Sequence, residues 1–277
     1  MKIWKYLLGF LFLIAAATWL AVFAFPDKNF HLIACNVGEG DAILATYGNI
    51  QILTDGGPNN KVLDCLSRHL PFWDREIELV VSTHPDKDHF EGLIEVVKRY
   101  KVDALLVGKG QTSDQSYQVL EKEVGSRGIK VLKTVGLKSL RVDLIYLDIL
   151  NEYADGQKRT TGTATNEESV VTRLKYQNFQ AILTGDLPAS TLEELIKSNS
   201  IGRVNYLKVS HHGSKTGTSL ELLNLLQPQI AVISVGRNNY GHPTPEVLNL
   251  LKDKEIKILR TDEKGDVEII SDGNVVK

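Results

Sequence analysis

A cluster of metal-binding residue types directly follows a short apolar stretch, and this arrangement constrains the fold more than any other feature. Glu78–Ser82 reads ELVVS, a run typical of a buried strand, and it leads into His84, Asp86, Asp88 and His89. Similar short apolar stretches alternate with helical patterns from residue 30 onward. This alternation indicates an α/β architecture. Because the sequence shows no internal repeat and no interior linker, the pattern predicts one domain of about 250 residues.

The four polar side chains after this strand are predicted to bind metal. Asp and Pro are ordinary turn residues, so a solvated turn is the alternative. Two histidines and two aspartates in one turn, however, bring strong ligands together without a structural benefit. Imidazole and carboxylate groups suit zinc, manganese or iron, and such sites can hold two ions about 3.5–4 Å apart.

Further polar residues follow other predicted strands. Asp186 ends the strand ILTG and is either a ligand or the N-cap of the next helix. His211 and His212 follow another apolar strand, and neighbouring strand residues point to opposite faces. We therefore expect only one of these two histidines to face the metal. Asp55 precedes two glycines at the end of a third strand and is predicted to orient a ligand from behind.

The first 25 residues have a different character. Residues 6–25 carry no charge, and a helix of this length spans roughly the 30 Å core of a bilayer. Lys2 and Lys5 precede the segment, and positive charge at that place keeps an N-terminus in the cytoplasm. We therefore predict a single-pass anchor or signal over residues 1–27 and a domain over 28–277 outside the cytoplasm, at the cell membrane. A cleaved signal peptide, with secretion of the domain, and a buried helix are the alternatives.

Composition restricts the classes of function. The chain has 32 Lys and Arg against 34 Asp and Glu, so it lacks the overall basic charge of a dedicated nucleic-acid binder. Its two cysteines, Cys35 and Cys65, are too few for a disulfide scaffold. If the predicted topology is right, they lie in an oxidising compartment, either as a pair or as two buried thiols.

Six stretches resemble metallo-β-lactamase-fold hydrolases, and specifically the hydrolase-like domain of ComEC-type competence proteins. They occur in the order found in that family: NVGEGDA (36–42), ILTDGG (52–57), STHPDKDHFEGL (82–93), ILTGDL (182–187), LKVSHHGSKT (207–216) and AVISVGRNNYGHPTPEVL (231–248). The resemblance implies a four-layer αβ/βα metallo-β-lactamase sandwich with a dinuclear metal site at one edge of two facing sheets. In this chain the sandwich is expected to follow one N-terminal transmembrane helix.

The resemblance also implies a set of ligands for two divalent ions, zinc or manganese. They are His84, Asp86, Asp88, His89, Asp186 and one of His211 and His212, with Asp186 between the ions and Asp88 also taking part in catalysis. Asp86 stands where most members have histidine, which favours a harder ion such as manganese. The separate histidine usual before the Asp186 strand is missing. Asn166 lies in that neighbourhood as an expected supporting residue, so the first metal site is expected to be the weaker one.

These features predict a metal-dependent hydrolase, most simply a phosphodiesterase of the nuclease type that acts on nucleic acid or another phosphodiester. Ser214, Lys215 and Asn238 are the expected phosphate contacts, although an exposed loop charge is the plainer reading of Lys215. His242 is expected to contact the scissile phosphate or to protonate the leaving group without binding metal. The polar segment 151–168 is expected to border the site. The alternatives are hydrolysis of a small ester, lactone or lactam, and a non-catalytic binding module.

Overall fold

The computed structural model describes residues 2–24, 26–110, 112–151 and 165–276, which form two seven-stranded sheets and eight α-helices. The first sheet contains β1 (Phe30–Ala34), β2 (Ile43–Tyr47), β3 (Ile50–Thr54), β4 (Glu76–Ser82), β5 (Lys101–Val107), β6 (Lys130–Lys133) and β14 (Val267–Ser271). The second contains β7 (Ser139–Val142), β8 (Ile145–Ile149), β9 (Thr172–Tyr176), β10 (Phe179–Leu183), β11 (Tyr206–Lys208), β12 (Ile230–Ile233) and β13 (Lys257–Arg260). Their strand orders are β14-β1-β2-β3-β4-β5-β6 and β13-β12-β11-β10-β9-β8-β7.

Helices cover the outer face of each sheet. The helices are α1 (Lys2–Ala24), α2 (Lys61–His69), α3 (Lys87–Arg99), α4 (Gln115–Ser126), α5 (Ala189–Ser198), α6 (Leu220–Leu226), α7 (Pro245–Asp253) and α8 (Thr261–Lys264). Buried residues of α2, α3 and α4 share one apolar core with the first sheet, and those of α5, α6 and α7 share another with the second. A third core lies between the two sheets. These layers confirm the predicted αβ/βα sandwich.

Strand alternation explains the layering. In β1, Phe30, Leu32 and Ala34 belong to the core between the sheets, whereas Ile33 belongs to the core beneath the helices. Successive strand side chains point to opposite faces, and here both faces are covered. Such strands read as continuous apolar runs, which is why they were recognisable in the sequence.

The strands that precede the predicted ligands are parallel neighbours. β3 pairs with β4 in the first sheet, and β10, β11 and β12 pair in sequence in the second. Parallel neighbours end at the same edge of a sheet, where the ligand sites of α/β folds lie. The residues after these strands are therefore brought together at one edge of the sandwich.

The N-terminal segment forms α1, and its described side chains, Ile3, Trp4 and Trp19 among them, are largely exposed. Within the described part of the chain, no helix meets the combined requirement of length and apolarity for crossing a bilayer. A spanning helix needs about 20 predominantly apolar residues. The predicted transmembrane helix is therefore not supported by the structure.

Three other features complete the comparison with the sequence. Cys35 and Cys65, whose pairing was left open, form a disulfide with both side chains fully buried. The edge strand β7 was not predicted, because its alternate residues are exposed and it lacks an apolar run. Most of the predicted loop 151–168 lies outside the described residues, and its last part, Thr165–Glu168, is a short 3-10 helix.

Candidate metal centre

The ends of β4, β10 and β11 bring four ligand side chains into one cluster. Asp88, His89, Asp186 and His212 each offer one ligand atom, and these atoms all lie within 4.8 Å of one another. The Nε2 atoms of His89 and His212 lie 3.3 and 3.5 Å from Oδ2 of Asp186. Nε2 of His212 lies 3.4 Å from Oδ2 of Asp88. Sequence segments about 100 residues apart thus converge on one point.

Several polar atoms in this cluster are buried without a hydrogen-bond partner. They are Nε2 of His84, His89 and His212, and Oδ1 of Asp186. Buried polar groups are almost always satisfied, so unsatisfied ones indicate a bound water or ion, or a functional role. Neutral imidazole and carboxylate are ordinary ligands of divalent transition metals. The donor set therefore fits a metal ion.

Opposite charges dominate the electrostatics of the cluster. Burial alone would lower the pKa of His89, but the carboxylates of Asp186 and Asp55 hold it well above its usual value. The pKa of His212 is raised in the same way by Asp186 and Asp88. Burial would raise the pKa of Asp88, but His212 and His89 bring it down to about 2. Without a metal, the two imidazoles therefore favour the protonated form.

Asp55, which was predicted to orient a ligand, lies behind the cluster and contacts His89. One of its carboxylate oxygens accepts a hydrogen bond from the backbone N–H of Thr83 at 2.8 Å, and the other accepts one from the Thr83 hydroxyl at 2.7 Å. The second oxygen also lies 2.8 Å from Nδ1 of His89. This contact occupies Nδ1 and turns Nε2 toward Asp186, which is the usual arrangement behind a ligating histidine.

Close backbone packing fixes the helix that carries these ligands. The backbone N–H of Gly92 on α3 donates to the carbonyl of Gly57 at 2.8 Å, and that of Gly56 donates to the carbonyl of His89 at 2.6 Å. A Cβ atom on Gly92 would lie only 2.0 Å from the Gly56 oxygen. The start of α3 can therefore sit directly against the end of β3, with His89 beside Asp55.

The other half of the predicted dinuclear site has fewer ligands. Nε2 of His84 lies 3.5 Å from Oδ2 of Asp86, and the centroid of the His84 ring lies 4.1 Å from that of His89, with the two ring planes tilted by 50°. Nδ1 of His84 lies 3.0 Å from the Thr83 hydroxyl and 3.2 Å from that of Ser169. Within the described residues, these two side chains do not join a third ligand in a compact group. The structure thus contains one complete four-ligand cluster and one partial one.

His211 and His212 do not lie on a strand, so the premise that they alternate in direction is wrong. β11 ends at Lys208, and both histidines adopt the left-handed conformation, with φ of 50° and 53°. Such φ values are uncommon for residues other than glycine, and they concentrate at functional sites. The turn buries His212 in the cluster. It leaves His211 partly exposed, with Nε2 4.0 Å from Oδ2 of Asp186.

The residues predicted to bind substrate are placed differently from one another. Lys215 is exposed beside the histidine turn, whereas Ser214 is buried and its hydroxyl lies 3.2 Å from that of Thr216. The Asn238 amide donates to the carbonyls of Gly236 and His242, and its oxygen accepts from the backbone N–H of His242. Asn238 therefore holds the loop around His242, which leaves its amide little capacity for a substrate.

His242 lies at the mouth of the site. Its ring centroid is 5.5 Å from that of His211, and its Nδ1 is 3.6 Å from Oε1 of Glu39. Burial, His211 and His212 lower the pKa of His242, which favours the neutral ring. Asn166, predicted to support the site, has its amide nitrogen 3.5 Å from Nδ1 of His211.

Sequence reasoning missed a charged pair behind the cluster. Lys208 is fully buried at the end of β11, and its ammonium group contacts the buried carboxylate of Asp41. Nζ of Lys208 also lies 3.5 Å from Oδ1 of Asp186. The available signal was a lone lysine within an apolar strand, inside the stretch LKVSHHG. Glu39, next to His242, was missed as well.

Known proteins similar in sequence are competence and recombination proteins. No family model matches the chain. The chain is 30% identical over 195 residues to ComE operon protein 3 of Bacillus subtilis, which covers 70% of this chain and 24% of that protein. It is 27% identical over 239 residues to Recombination protein 2 of Haemophilus influenzae, which covers 84% of this chain and 28% of that protein. The chain thus spans about a quarter of the length of these relatives.

Solved structures that share the fold carry diverse chemistry. The metallo-β-lactamase-fold protein YhfI of Bacillus subtilis superposes with a TM-score of 0.57 at 12% identity, covering 86% of this chain and 99% of that one. CmlA, a diiron β-hydroxylase from Streptomyces venezuelae, gives 0.57 at 14% identity, covering 88% of this chain and 54% of that one. A diphosphatase of the PhnP family superposes with a TM-score of 0.51 at 13% identity, covering 86% of this chain and 96% of that one. At such identities the likeness concerns the fold.

Proposed function

We propose that this chain, which belongs to the metallo-β-lactamase superfamily of metal-dependent hydrolases and is related to ComEC-type competence proteins, hydrolyses phosphodiesters. The observation that carries the proposal is the convergence of two buried, unpartnered imidazole nitrogens, of His89 and His212, on one oxygen of Asp186. A metal ion would satisfy these nitrogens, and a bound divalent ion would supply Lewis-acid chemistry and a water acidic enough to attack at neutral pH.

The protein side chains divide the remaining tasks by position. Asp88, His89, Asp186 and His212 would hold one ion, and His84 with Asp86 would contribute to a second, more weakly held one, with zinc or manganese as candidates for both. Asp55 and the carbonyl of Ser234, 2.9 Å from Nδ1 of His212, keep the two imidazoles turned inward. Both imidazoles are thus oriented without the ion.

The mouth of the site has the chemistry to receive a phosphate group. His211 is partly exposed there, and His242 lies beside it with a pKa that favours a neutral, hydrogen-bonding ring. Lys215 and Arg237 are exposed on the turns that carry these histidines. Lysine and arginine donors are among the groups that proteins use to bind phosphate oxygens, and a neutral imidazole can donate a hydrogen bond as well. Of the two roles predicted for His242, this environment favours contact with the phosphate over proton donation.

We also propose that the domain works outside the cytoplasm, at the cell membrane or secreted. The support is the buried Cys35–Cys65 disulfide, because disulfides form and persist in oxidising compartments. Alkylation of free thiols in intact cells, followed by reduction and a second label, measures the pairing in place. A fully reduced pair in growing cells would contradict the proposed location.

The test of function uses the full chain, stripped of metal and then supplied with Mn²⁺ or Zn²⁺. Bis(p-nitrophenyl) phosphate, labelled single-stranded DNA, a chromogenic ester and a chromogenic lactam are offered in parallel. We expect metal-dependent cleavage of the phosphodiesters, lost in H89A and H212A and kept in H69A, whose histidine pairs with Asp266 outside the cluster. Turnover of only the ester or lactam would support the alternative hydrolase. Metal binding without any turnover would indicate a binding module.

A further inference from the structure

Lys208 occupies an unusual position for a lysine. Among the described residues it is the only lysine or arginine whose side chain is buried, and its exposed fraction is 0%. Lysine is almost never fully buried unless its charge is paired. Because Tyr206 of the same strand points into the core between the sheets, alternation sends Lys208 into that space as well, at the end nearest the metal centre.

The ammonium group of Lys208 has three N–H donors, and three acceptors surround it. It contacts Oδ2 of Asp41, which is itself buried. It donates to the carbonyl of Gly185 at 3.0 Å, and it lies 3.5 Å from Oδ1 of Asp186. The lysine is thus held by the carbonyl of Gly185 and faces the side chain of Asp186.

The two oxygens of Asp186 consequently face different partners. Oδ2 lies 3.3 and 3.5 Å from the imidazole nitrogens of His89 and His212. Oδ1 faces Lys208 and has no hydrogen bond of its own. A carboxylate rotates readily about its terminal bond, so a fixed cation on one side decides which oxygen is presented on the other.

We propose that Lys208 is a positioning residue that pairs with Oδ1 of Asp186 and thereby presents Oδ2 to the metal ion. The inference rests on the proposed metal centre. Asp41 completes the arrangement, because its carboxylate neutralises the ammonium group and prevents it from repelling the incoming cation. Loss of a residue that orients a metal ligand typically weakens metal affinity by about 10- to 100-fold.

The test must separate orientation from net charge. K208M alone leaves the buried carboxylate of Asp41 without its ammonium partner, so the main variant is K208M/D41N, which removes one charge of each sign. The matched control is K197M/E221Q. It removes an exposed ion pair, with an N–O distance of 3.1 Å, that is not part of the metal centre. Co²⁺ affinity is measured by competition with a chelator, together with the Co²⁺ absorption spectrum and the melting temperature.

We expect the control to match the wild type, and K208M/D41N to melt cooperatively while binding Co²⁺ about 10- to 100-fold more weakly with an altered spectrum. D41N alone keeps the ammonium group beside Asp186 but no longer neutralises it. It is therefore expected to bind Co²⁺ more weakly while keeping a spectrum closer to the wild type than that of K208M/D41N, which provides a second test if the double variant does not fold. Wild-type affinity in K208M/D41N, or the same spectral change in D41N alone as in K208M/D41N, would overturn the role of Lys208. A wild-type protein that binds no Co²⁺ would instead refute the metal centre itself.

Discussion

The Cys35–Cys65 disulfide is expected to contribute strongly to stability and to the metal centre. It joins the residue after β1 to α2 across a sequence separation of 30 residues, with both side chains fully buried. The segment that follows Cys35 leads to Asp41, whose backbone N–H donates to the carbonyl of Asp88 at 3.1 Å. The disulfide therefore tethers the chain that packs against the ligand turn.

The size of the effect follows from the loop that the disulfide closes. In the chain-entropy model, a loop of this length removes about 12 cal/mol/K of entropy from the unfolded chain, or about 3.6 kcal/mol at 25 °C. In a domain of about 250 residues, each kcal/mol shifts the melting temperature by about 2–4 °C. Loss of the disulfide should therefore lower the melting temperature by about 7–14 °C.

The assay compares three forms of the full chain: oxidised, reduced by a phosphine, and the variant C35A/C65A. Reduction retains every sulfur atom and so isolates the constraint, whereas the variant adds the cost of two small cavities and should melt slightly lower still. Free-thiol titration verifies that reduction is complete. If the fully reduced protein melts at the temperature of the oxidised one, the disulfide does not stabilise the fold and this reasoning is refuted.

Three further predictions concern the site. Metal affinity should rise with pH through the neutral range, because the raised pKa values of His89 and His212 make protons compete with the ion. Calorimetry in buffers of different ionisation enthalpy should detect about two protons released per ion bound, and no release at pH 7 would contradict this prediction. H242A should lower kcat by about 10²-fold, the scale of losing one donor that stabilises charge in the transition state, with metal content unchanged and equally for good and poor leaving groups. A loss that shrinks with an activated leaving group would show proton donation instead. G40A should lower the free energy of unfolding, measured in urea, by about 3 kcal/mol, because φ of Gly40 is +138° and a Cβ would lie 2.3 Å from the Asp88 carbonyl oxygen. G48A, at a left-handed position with open space around it, should lower the free energy of unfolding by about 1 kcal/mol.

The parts of the fold that could be predicted are those that leave a local signature. Strands covered on both faces read as short apolar runs, as β4 and β10 do, and their ends are marked by the ligands that follow. His84, Asp86, Asp88 and His89 could be identified because they are neighbours in sequence. Asp55 could be identified because the glycines after it indicate a close backbone approach, which Gly56 makes against α3.

The parts that could not be predicted depend on contacts between distant segments. The left-handed turn at His211 and His212 contradicts the expectation from strand alternation, because β11 is only three residues long and stops before them. Glu39 meets His242 across more than 200 residues of chain. Lys208 looks like an exposed residue of a strand, and only the convergence of Asp41, Gly185 and Asp186 around it explains its burial.

The buried charges around the cluster balance one another in the absence of a metal ion. Three carboxylates lie buried around the cluster, those of Asp41, Asp55 and Asp186, and Lys208 supplies one compensating positive charge. Protonated His89 and His212 supply two more positive charges, and their acidic neighbours favour this protonated form by raising the pKa values of both histidines. A divalent ion that displaces these two protons brings in the same charge that leaves. The site would therefore exchange one cation for two protons without gaining an unpaired buried charge, and this is the physical basis of the expected proton release.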